Sequence, residues 1–199
     1  MRLSEVAELR SGYPFRNRVE PVAEGRCRLV QMKDVDVLGG LSEKEFARIE
    51  RPPNYQSHVL HYGDVLMAGR GTRNPAVTFL ADQGNTIAAA NLFVLRPRGS
   101  ALPDYLAWFL NLPATQARLG AMRAGSSVPF VRLNELGELE VPVPDLELQK
   151  RIVEIYKLSL QEEELLARIQ TQRRILVDTM LHKAVRGETS CANESANPT

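Results

Sequence analysis

Short apolar runs separated by turn residues fill the front half of the chain. Near the N-terminus, apolar residues at positions 3, 6, 7 and 9 predict a short amphipathic helix over residues 3–9, which Ser11, Gly12 and Pro14 end. Four later runs favour strands, because they are rich in apolar and β-branched residues and are bounded by Gly, Pro and Asn. These runs are residues 29–32, 64–68, 76–80 and 91–95.

Helical spacing returns after residue 102. Pro103 suits the first turn of a helix, and apolar residues follow it at helical spacing up to residue 110. Pro113 opens a second short helix that ends at about residue 122, and residues 139–143 are predicted to form a last short strand. The front part is therefore predicted to be α+β, with a twisted mixed or antiparallel sheet and short helices covering one face.

A long helix is predicted for the end of the chain. From about residue 147 to 186 no Pro or Gly interrupts a sequence of good helix formers. At a rise of about 1.5 Å per residue, this helix would be a rod roughly 60 Å long. Its apolar residues follow a heptad register whose middle slots hold the polar residues Ser159, Glu162 and Arg173. The apolar positions are Leu148, Ile152, Ile155, Leu166, Ile169, Leu176 and Met180.

Two arrangements could cover this apolar seam. The helix could fold back on its own domain, or it could pack against a helix from another chain. We favour the second arrangement, because the part of the chain before residue 147 is too small to cover such a rod. The chain is thus predicted to have a globular domain over residues 1–146, a coiled-coil-like dimerisation helix over 147–186, and a disordered polar tail over 187–199.

Composition and charge narrow the class of protein. The chain is 44% hydrophobic and 25% charged, which is enough apolar content for a folded core. Its net charge of +1 gives no general argument for a polyanionic partner, although a mild basic excess lies in the first 132 residues. Cys27 and Cys191 cannot build a disulfide framework, and no apolar stretch is long enough for a membrane helix. We expect a soluble cytoplasmic protein.

The usual sequence marks of catalysis are missing. Residues 69–72 read Gly-Arg-Gly-Thr but run into Arg-Asn-Pro rather than into a helix, so they do not form a phosphate-binding loop. His58, His61 and His182 lack the neighbouring acids or cysteines of a metal site. Residues 74–77, Asn-Pro-Ala-Val, do not supply the catalytic tetrapeptide of an adenine methyltransferase. We expect no catalytic residue, no metal and no cofactor on this chain.

Several predicted loops carry side chains that suit DNA. An arginine can make two hydrogen bonds to guanine or to a phosphate, an asparagine can do so to adenine, and hydroxyl groups bind phosphate. Glycines beside one of these arginines would let the backbone approach a phosphate closely. The candidate DNA-binding residues are Arg16, Asn17, Arg18, Arg70, Thr72, Arg73, Asn74, Arg123, Ser126, Ser127 and Arg132.

The order of these segments resembles the target-recognition domains of Type I restriction-modification specificity subunits. Residues 3–12 are similar to the family's first helix and turn, residues 63–71 to its central Gly-Asp-Val-Leu strand and recognition loop, and residues 103–106 to the helix after the sheet. The most specific match is residues 139–152, LEVPVPDLELQKRI, which resembles the family's Ile-Pro-x-Pro, Glu-Gln and Arg-Ile run. This sequence has Leu148-Gln149 where the family has its Glu-Gln pair.

The resemblance implies a non-catalytic DNA-recognition subunit. Full specificity subunits carry two domain-plus-helix units, whereas this chain has one, so the resemblance implies a half-subunit that homodimerises through antiparallel helices. A symmetric dimer would read two inverted half-sites on double-stranded DNA. The implied partners are a DNA adenine methyltransferase (modification) subunit that uses S-adenosylmethionine and a restriction/translocase subunit that uses ATP.

Two other functions stay open at this point. The chain could be a degenerate or regulatory fragment that binds the modification subunit through its helix without reading DNA, which the near-neutral charge would suit. An independent enzyme is a weaker alternative, because no catalytic constellation is present. The partner helix could also belong to another specificity protein rather than to a second copy.

Overall fold

A computed structural model describes residues 1–17, 19–35, 41, 46–81, 84–123 and 129–187. The chain divides into two compact units, residues 1–156 and residues 157–199. The described strands are β1 (Ala7–Ser11), β2 (Cys27–Val30), β3 (Ala47–Ile49), β4 (Val65–Ala68), β5 (Ala76–Thr78), β6 (Thr86–Ala88) and β7 (Leu92–Pro97). The described α-helices are α1 (Leu3–Val6), α2 (Pro103–Asn111), α3 (Pro113–Ala121), α4 (Leu133–Gly137) and α5 (Leu146–Val185).

Two sheets form the first unit. The larger sheet has the strand order β1-β7-β4-β5 and is antiparallel throughout. The smaller sheet has the order β3-β2-β6, in which β2 is antiparallel to β3 and parallel to β6. The predicted α+β class, with a mixed or antiparallel sheet, short helices and a long C-terminal helix, is confirmed.

Both faces of the larger sheet are buried. Side chains alternate along β4, so that Val65 and Met67 face one apolar cluster while Leu66 and Ala68 face another. Helices α1 to α4 supply the first cluster, and strands of the smaller sheet contribute to the second. This two-sided burial explains why residues 65–68 form a continuous apolar run rather than an alternating one.

The helix predicted over residues 3–9 is half wrong. Helix α1 ends at Val6, and Ala7 begins a strand that pairs with the far end of β7. The apolar residues at 3 and 6 still reach the core, but pairing with a distant strand decides the conformation of residues 7–11. The strand predicted over residues 139–143 is also wrong, since only a single bridge joins Arg2 and Glu140. Pro142 has no N–H group with which to extend the pairing.

The first three turns of α5 belong to the first unit. Asp145 Oδ1 accepts a hydrogen bond of 2.9 Å from the Leu148 N–H group and so caps the helix. Gln149 is fully buried, accepts a bond from the Leu102 N–H group at 2.9 Å, and donates to two carbonyl oxygens at 2.9 and 2.7 Å. Ile152 packs partly against the core of this unit. Its place in a dimer interface stays a prediction, since the domain covers only part of its side chain.

The described part of the second unit is helical from residue 157 to Val185, and Gly187 follows with a positive φ of 68°. Its predicted interface residues are open to solvent in the single chain, with Leu166 52%, Ile169 62% and Met180 58% exposed. Beyond residue 187, the predicted tail lies outside the described residues. No described helix is both long and apolar enough to cross a membrane.

Candidate nucleic-acid interface

The topology of the larger sheet gathers two of the arginine-bearing loops at one end. Ser11 pairs with Phe93, and Ala68 pairs with Leu92, so β1 and β4 finish where β7 starts. Strand β5 starts at the same end, because Met67 pairs with its first residue. The loop after β1 and the loop between β4 and β5 therefore leave the sheet at the same end, on either side of β7.

The loop after β1 holds Arg16 and Asn17, and both are exposed. The loop between β4 and β5 holds Arg70, Thr72 and Arg73, which are exposed as well. Neither arginine of the second loop forms an ion pair with the residues that the structure describes. All five side chains are therefore accessible, and their role in DNA binding stays a prediction. Arg18 lies outside the described residues.

A third segment joins the loop between β4 and β5. The Gly71 N–H group donates to the Pro129 carbonyl at 2.9 Å, and the Val131 N–H group donates to the Gly69 carbonyl at 3.0 Å. This pairing brings the exposed Arg132 to the same surface, where it forms a 2.9 Å ion pair with Glu135. Ser126 and Ser127 precede this segment and lie outside the described residues.

Two glycines allow this loop to form. A Cβ atom on Gly69 would lie 3.0 Å from the Phe93 ring, and Gly71 has a φ of 101°, which side-chain-bearing residues rarely adopt. The glycines thus let the backbone turn tightly on both sides of Arg70. Their role is to shape the loop.

Asn74 corrects the predicted set. Its side chain is fully buried, its amide donates to the Ala68 carbonyl at 2.7 Å, and its Oδ1 accepts two bonds of 3.2 and 3.1 Å from the Arg123 guanidinium. An amide that is closed off from solvent, and whose nitrogen and oxygen are both bonded within the protein, cannot read a base. Arg123 is half-buried, and its guanidinium donates both of these hydrogen bonds to Asn74. Asn74 therefore holds the base of the loop instead of contacting DNA in this conformation, and Arg123 supports it there.

Two further amides complete this support, and sequence reasoning missed them. The Asn74 N–H group donates to Gln116 Oε1 at 3.1 Å, and Gln116 donates back to the Asn74 carbonyl at 2.9 Å. Asn111 makes the same reciprocal pair of bonds with the backbone of Ala76. These side chains attach the loop and the edge strand β5 to α2 and α3. Nothing in the sequence marks an ordinary helical amide for such a role.

We predict that Asn74→Ala lowers the free energy of unfolding by about 2 to 3 kcal/mol, because it leaves a buried carbonyl and a half-buried guanidinium without partners. Urea denaturation followed by circular dichroism measures this difference. Thr72→Ala is the matched control in the same loop and should stay within about 0.5 kcal/mol, since Thr72 is exposed. Equal losses in the two variants would contradict the assigned role of Asn74.

A buried carboxylate fixes the other end of β4. Asp64 is 1% exposed and accepts two bonds from Arg96, at 2.8 and 2.9 Å, and one from the His61 N–H group at 2.8 Å. The hydrogen bonds to Asp64 raise the pKa of Arg96. Arg10 lies 3.9 Å from the same carboxylate, and burial lowers the pKa of Arg10. The Gly-Asp pair at the start of the predicted motif thus stabilises the domain.

A cleft of about 710 Å³ lies beside the loop after β1. Arg16 and Asn17 line it together with Tyr13 and Phe15, whose ring centroids are 4.7 Å apart. His58 also lines it, and burial, with a smaller effect from the nearby Arg10 charge, lowers its pKa. The imidazole is therefore neutral near pH 7. Among the described residues, no group of three acidic, His or Cys side chains is placed to hold a metal ion.

No protein-family model and no curated protein match the sequence. Solved structures do match the fold. A chain from a structure of the type I R-M system that addresses complex assembly and conformational transition superposes with a TM-score of 0.67 at 23% identity. The chain has a Type I S-subunit fold. The HsdS subunit from Thermoanaerobacter tengcongensis gives a TM-score of 0.59 at 24% identity, and the S subunit from M. genitalium gives 0.55 at 18% identity.

The superposed region covers 92 to 94% of this chain but only 44% of each solved chain. This chain therefore spans less than half the length of those proteins. The sequence-based resemblance to Type I specificity subunits is confirmed at the level of the fold. The identities are too low to carry residue roles from one protein to another.

Proposed function

We propose that the chain is a DNA-recognition subunit of a Type I restriction-modification system and acts as a half-subunit. The observation that carries this proposal is the group of exposed arginines at one end of the sheet, on an S-subunit fold. In this proposal Arg70 and Arg73 contact base edges or phosphates in the major groove, and Arg16 with Asn17 contacts the neighbouring stretch of DNA.

The exposed apolar face of α5 supports a homodimer. A single domain reads one half-site, and a twofold pair reads two inverted half-sites separated by a fixed spacer. The described part of α5 offers Ile155, Leu166, Ile169, Leu176 and Met180 for this contact, all more than half exposed. Burying such a face against a second helix stabilises the dimer by about 25 cal/mol for each Å² of apolar surface that is removed from water.

Catalysis is assigned to partner proteins. In this proposal the chain is non-catalytic and cytoplasmic, and it recruits a DNA adenine methyltransferase subunit that carries S-adenosylmethionine. A restriction/translocase subunit that hydrolyses ATP joins the same complex. The chain itself binds DNA and orients these partners on it.

The test is to purify the chain together with a candidate modification subunit and to map adenine methylation over a whole genome. We expect methylation at a gapped palindrome. Methylation at an asymmetric motif would reject the homodimer. Complex formation without any motif would favour a regulatory fragment that does not read DNA.

Arginine variants test the recognition surface directly. Arg70→Ala and Arg73→Ala should each weaken binding to the methylated motif by about 1 to 3 kcal/mol if they contact bases. Fluorescence anisotropy with specific and scrambled duplexes measures this. Arg98→Ala is the matched control, because Arg98 is exposed and follows β7 at the opposite end of the sheet. Losses that are equal on both duplexes, with a shallower salt dependence, would assign phosphate contacts instead.

A further inference from the structure

Two charged residues interrupt the apolar face of α5. Leu166 and Ile169 are flanked along the heptad register by Glu162 on one side and by Arg173 on the other. Both charged residues are exposed, and neither forms an ion pair with any described residue of the chain. If this face binds another helix, the two charges become buried. Their burial is costly unless the partner helix supplies an opposite charge for each of them.

An antiparallel second copy places opposite charges against each other in one register. Suppose that Leu166 faces the partner's Ile169. Because the helices are antiparallel, a residue a given number of positions before Leu166 then faces the partner residue the same number of positions after Ile169. Glu162 then faces the partner's Arg173, and the twofold axis repeats this pair on the other side of the centre. The next layers outward are Ser159 with the partner's Leu176 and Ile155 with the partner's Met180.

Other alignments leave the charges without partners. Parallel helices in register would set Glu162 against Glu162 and Arg173 against Arg173. Antiparallel helices shifted by one heptad would set Glu162 against Leu166 or Met180, and would set Arg173 against Ile155 or Ile169. A charge that faces an apolar residue in a helix interface is costly.

The wider charge pattern favours the same alignment. Residues 162–164 are three consecutive glutamates, whereas Arg168, Arg173 and Arg174 follow them along the helix. Antiparallel pairing centred between residues 167 and 168 brings the acidic segment of each copy beside the basic segment of the other. Opposite potentials across an interface set orientation and exclude wrong partners more than they add affinity.

We infer that the α5 face binds a second copy of this chain in that antiparallel register, with two Glu162–Arg173 ion pairs flanking a central Leu166–Ile169 contact. This inference rests on the proposed homodimer and specifies its geometry. The two ion-pair layers lower the affinity below that of an all-apolar seam. They also select one orientation of the two helices and one alignment along their length.

Charge reversal tests this register. Glu162→Arg and Arg173→Glu each place like charges in both polar layers, so each variant alone should dimerise at least about tenfold more weakly than the wild type. An equimolar mixture of the two variants should form heterodimers at close to wild-type affinity, because both layers again hold opposite charges. Sedimentation equilibrium gives the affinities, and native mass spectrometry of tagged copies identifies the heterodimer.

Glu164→Arg and Arg174→Glu are the matched controls. They make the same changes of charge beside the heptad seam rather than within it, and their homodimers should stay within about threefold of the wild type. A wild-type monomer would reject the proposed homodimer itself. A wild-type dimer with no rescue in the mixture, or with controls as weak as the seam variants, would overturn only the register.

Crosslinking gives an independent measurement. In chains that carry Cys191→Ser, Ser159→Cys mixed with Leu176→Cys should form a disulfide-linked heterodimer, because these positions share a layer. Ser159→Cys mixed with Ile175→Cys is the control, since position 175 lies outside the seam. A dimer that crosslinks equally in both mixtures, or in neither, would overturn the register.

Discussion

Asp64→Asn is expected to lower the free energy of unfolding by about 3 kcal/mol, because it removes the carboxylate that holds two arginines. Asp64 is 1% exposed and bonds Arg96 through both oxygens, while the half-buried Arg10 lies 3.9 Å away. An asparagine of the same size keeps one acceptor oxygen but leaves the positive charges uncompensated. A loss of this size is a large fraction of the about 5 to 15 kcal/mol that stabilises a typical domain.

Urea denaturation followed by circular dichroism and by the fluorescence of Trp108 measures this change. Glu8→Gln is the matched control, because it makes the same chemical change on an exposed residue of β1 that faces Arg96 across the strand pair. We expect the control to lose less than about 1 kcal/mol. If Asp64→Asn lost no more than the control, the carboxylate would not be the element that stabilises this end of the sheet.

Ile169→Asp is expected to abolish dimerisation and, with it, binding to a paired site. Ile169 is 62% exposed in the single chain and lies in the central layer of the α5 seam. Because the twofold axis places one aspartate in each of the two central layers, opposite Leu166 of the other copy, the dimer dissociation constant should rise more than about 100-fold. Binding to a single half-site should stay close to the wild-type value, since the recognition loops are unchanged.

Sedimentation equilibrium and anisotropy with one or two half-sites separate these effects. Ile175→Asp is the matched control, because Ile175 is 54% exposed on the same helix but lies outside the seam. We expect the control to remain a dimer that binds the paired site. A dimer that persists in Ile169→Asp would move the interface to another surface of the protein.

Local rules were sufficient for several elements of the fold. Helix α5 was predicted because no Pro or Gly interrupts it, and β4 and β7 were predicted because apolar runs between turn residues favour buried strands. Helices α2 and α3 begin at the two prolines that marked their first turns. These signals lie within a few neighbouring residues, so they can be read without knowing the tertiary structure.

Roles that depend on distant residues were missed. Asn74 looked like a base-reading side chain because it follows two arginines in a polar loop. Its burial depends on Gln116 and Arg123, which come from α3 and from the segment after it. The strands β3 and β6 were missed as well, since they are defined by pairing with β2 within the smaller sheet.

By itself the sequence determined the α+β class, the long helix with its apolar seam, and the arginine-rich character of the loops. Periodicity and side-chain chemistry carry this information, and both are local. Only the tertiary structure decided that the loops after β1 and β4 leave the same end of the sheet, that Asn74 and Arg123 support the loop, and that Ile152 packs partly against the domain core. Strand order and burial decide such roles, because they join residues far apart in the chain.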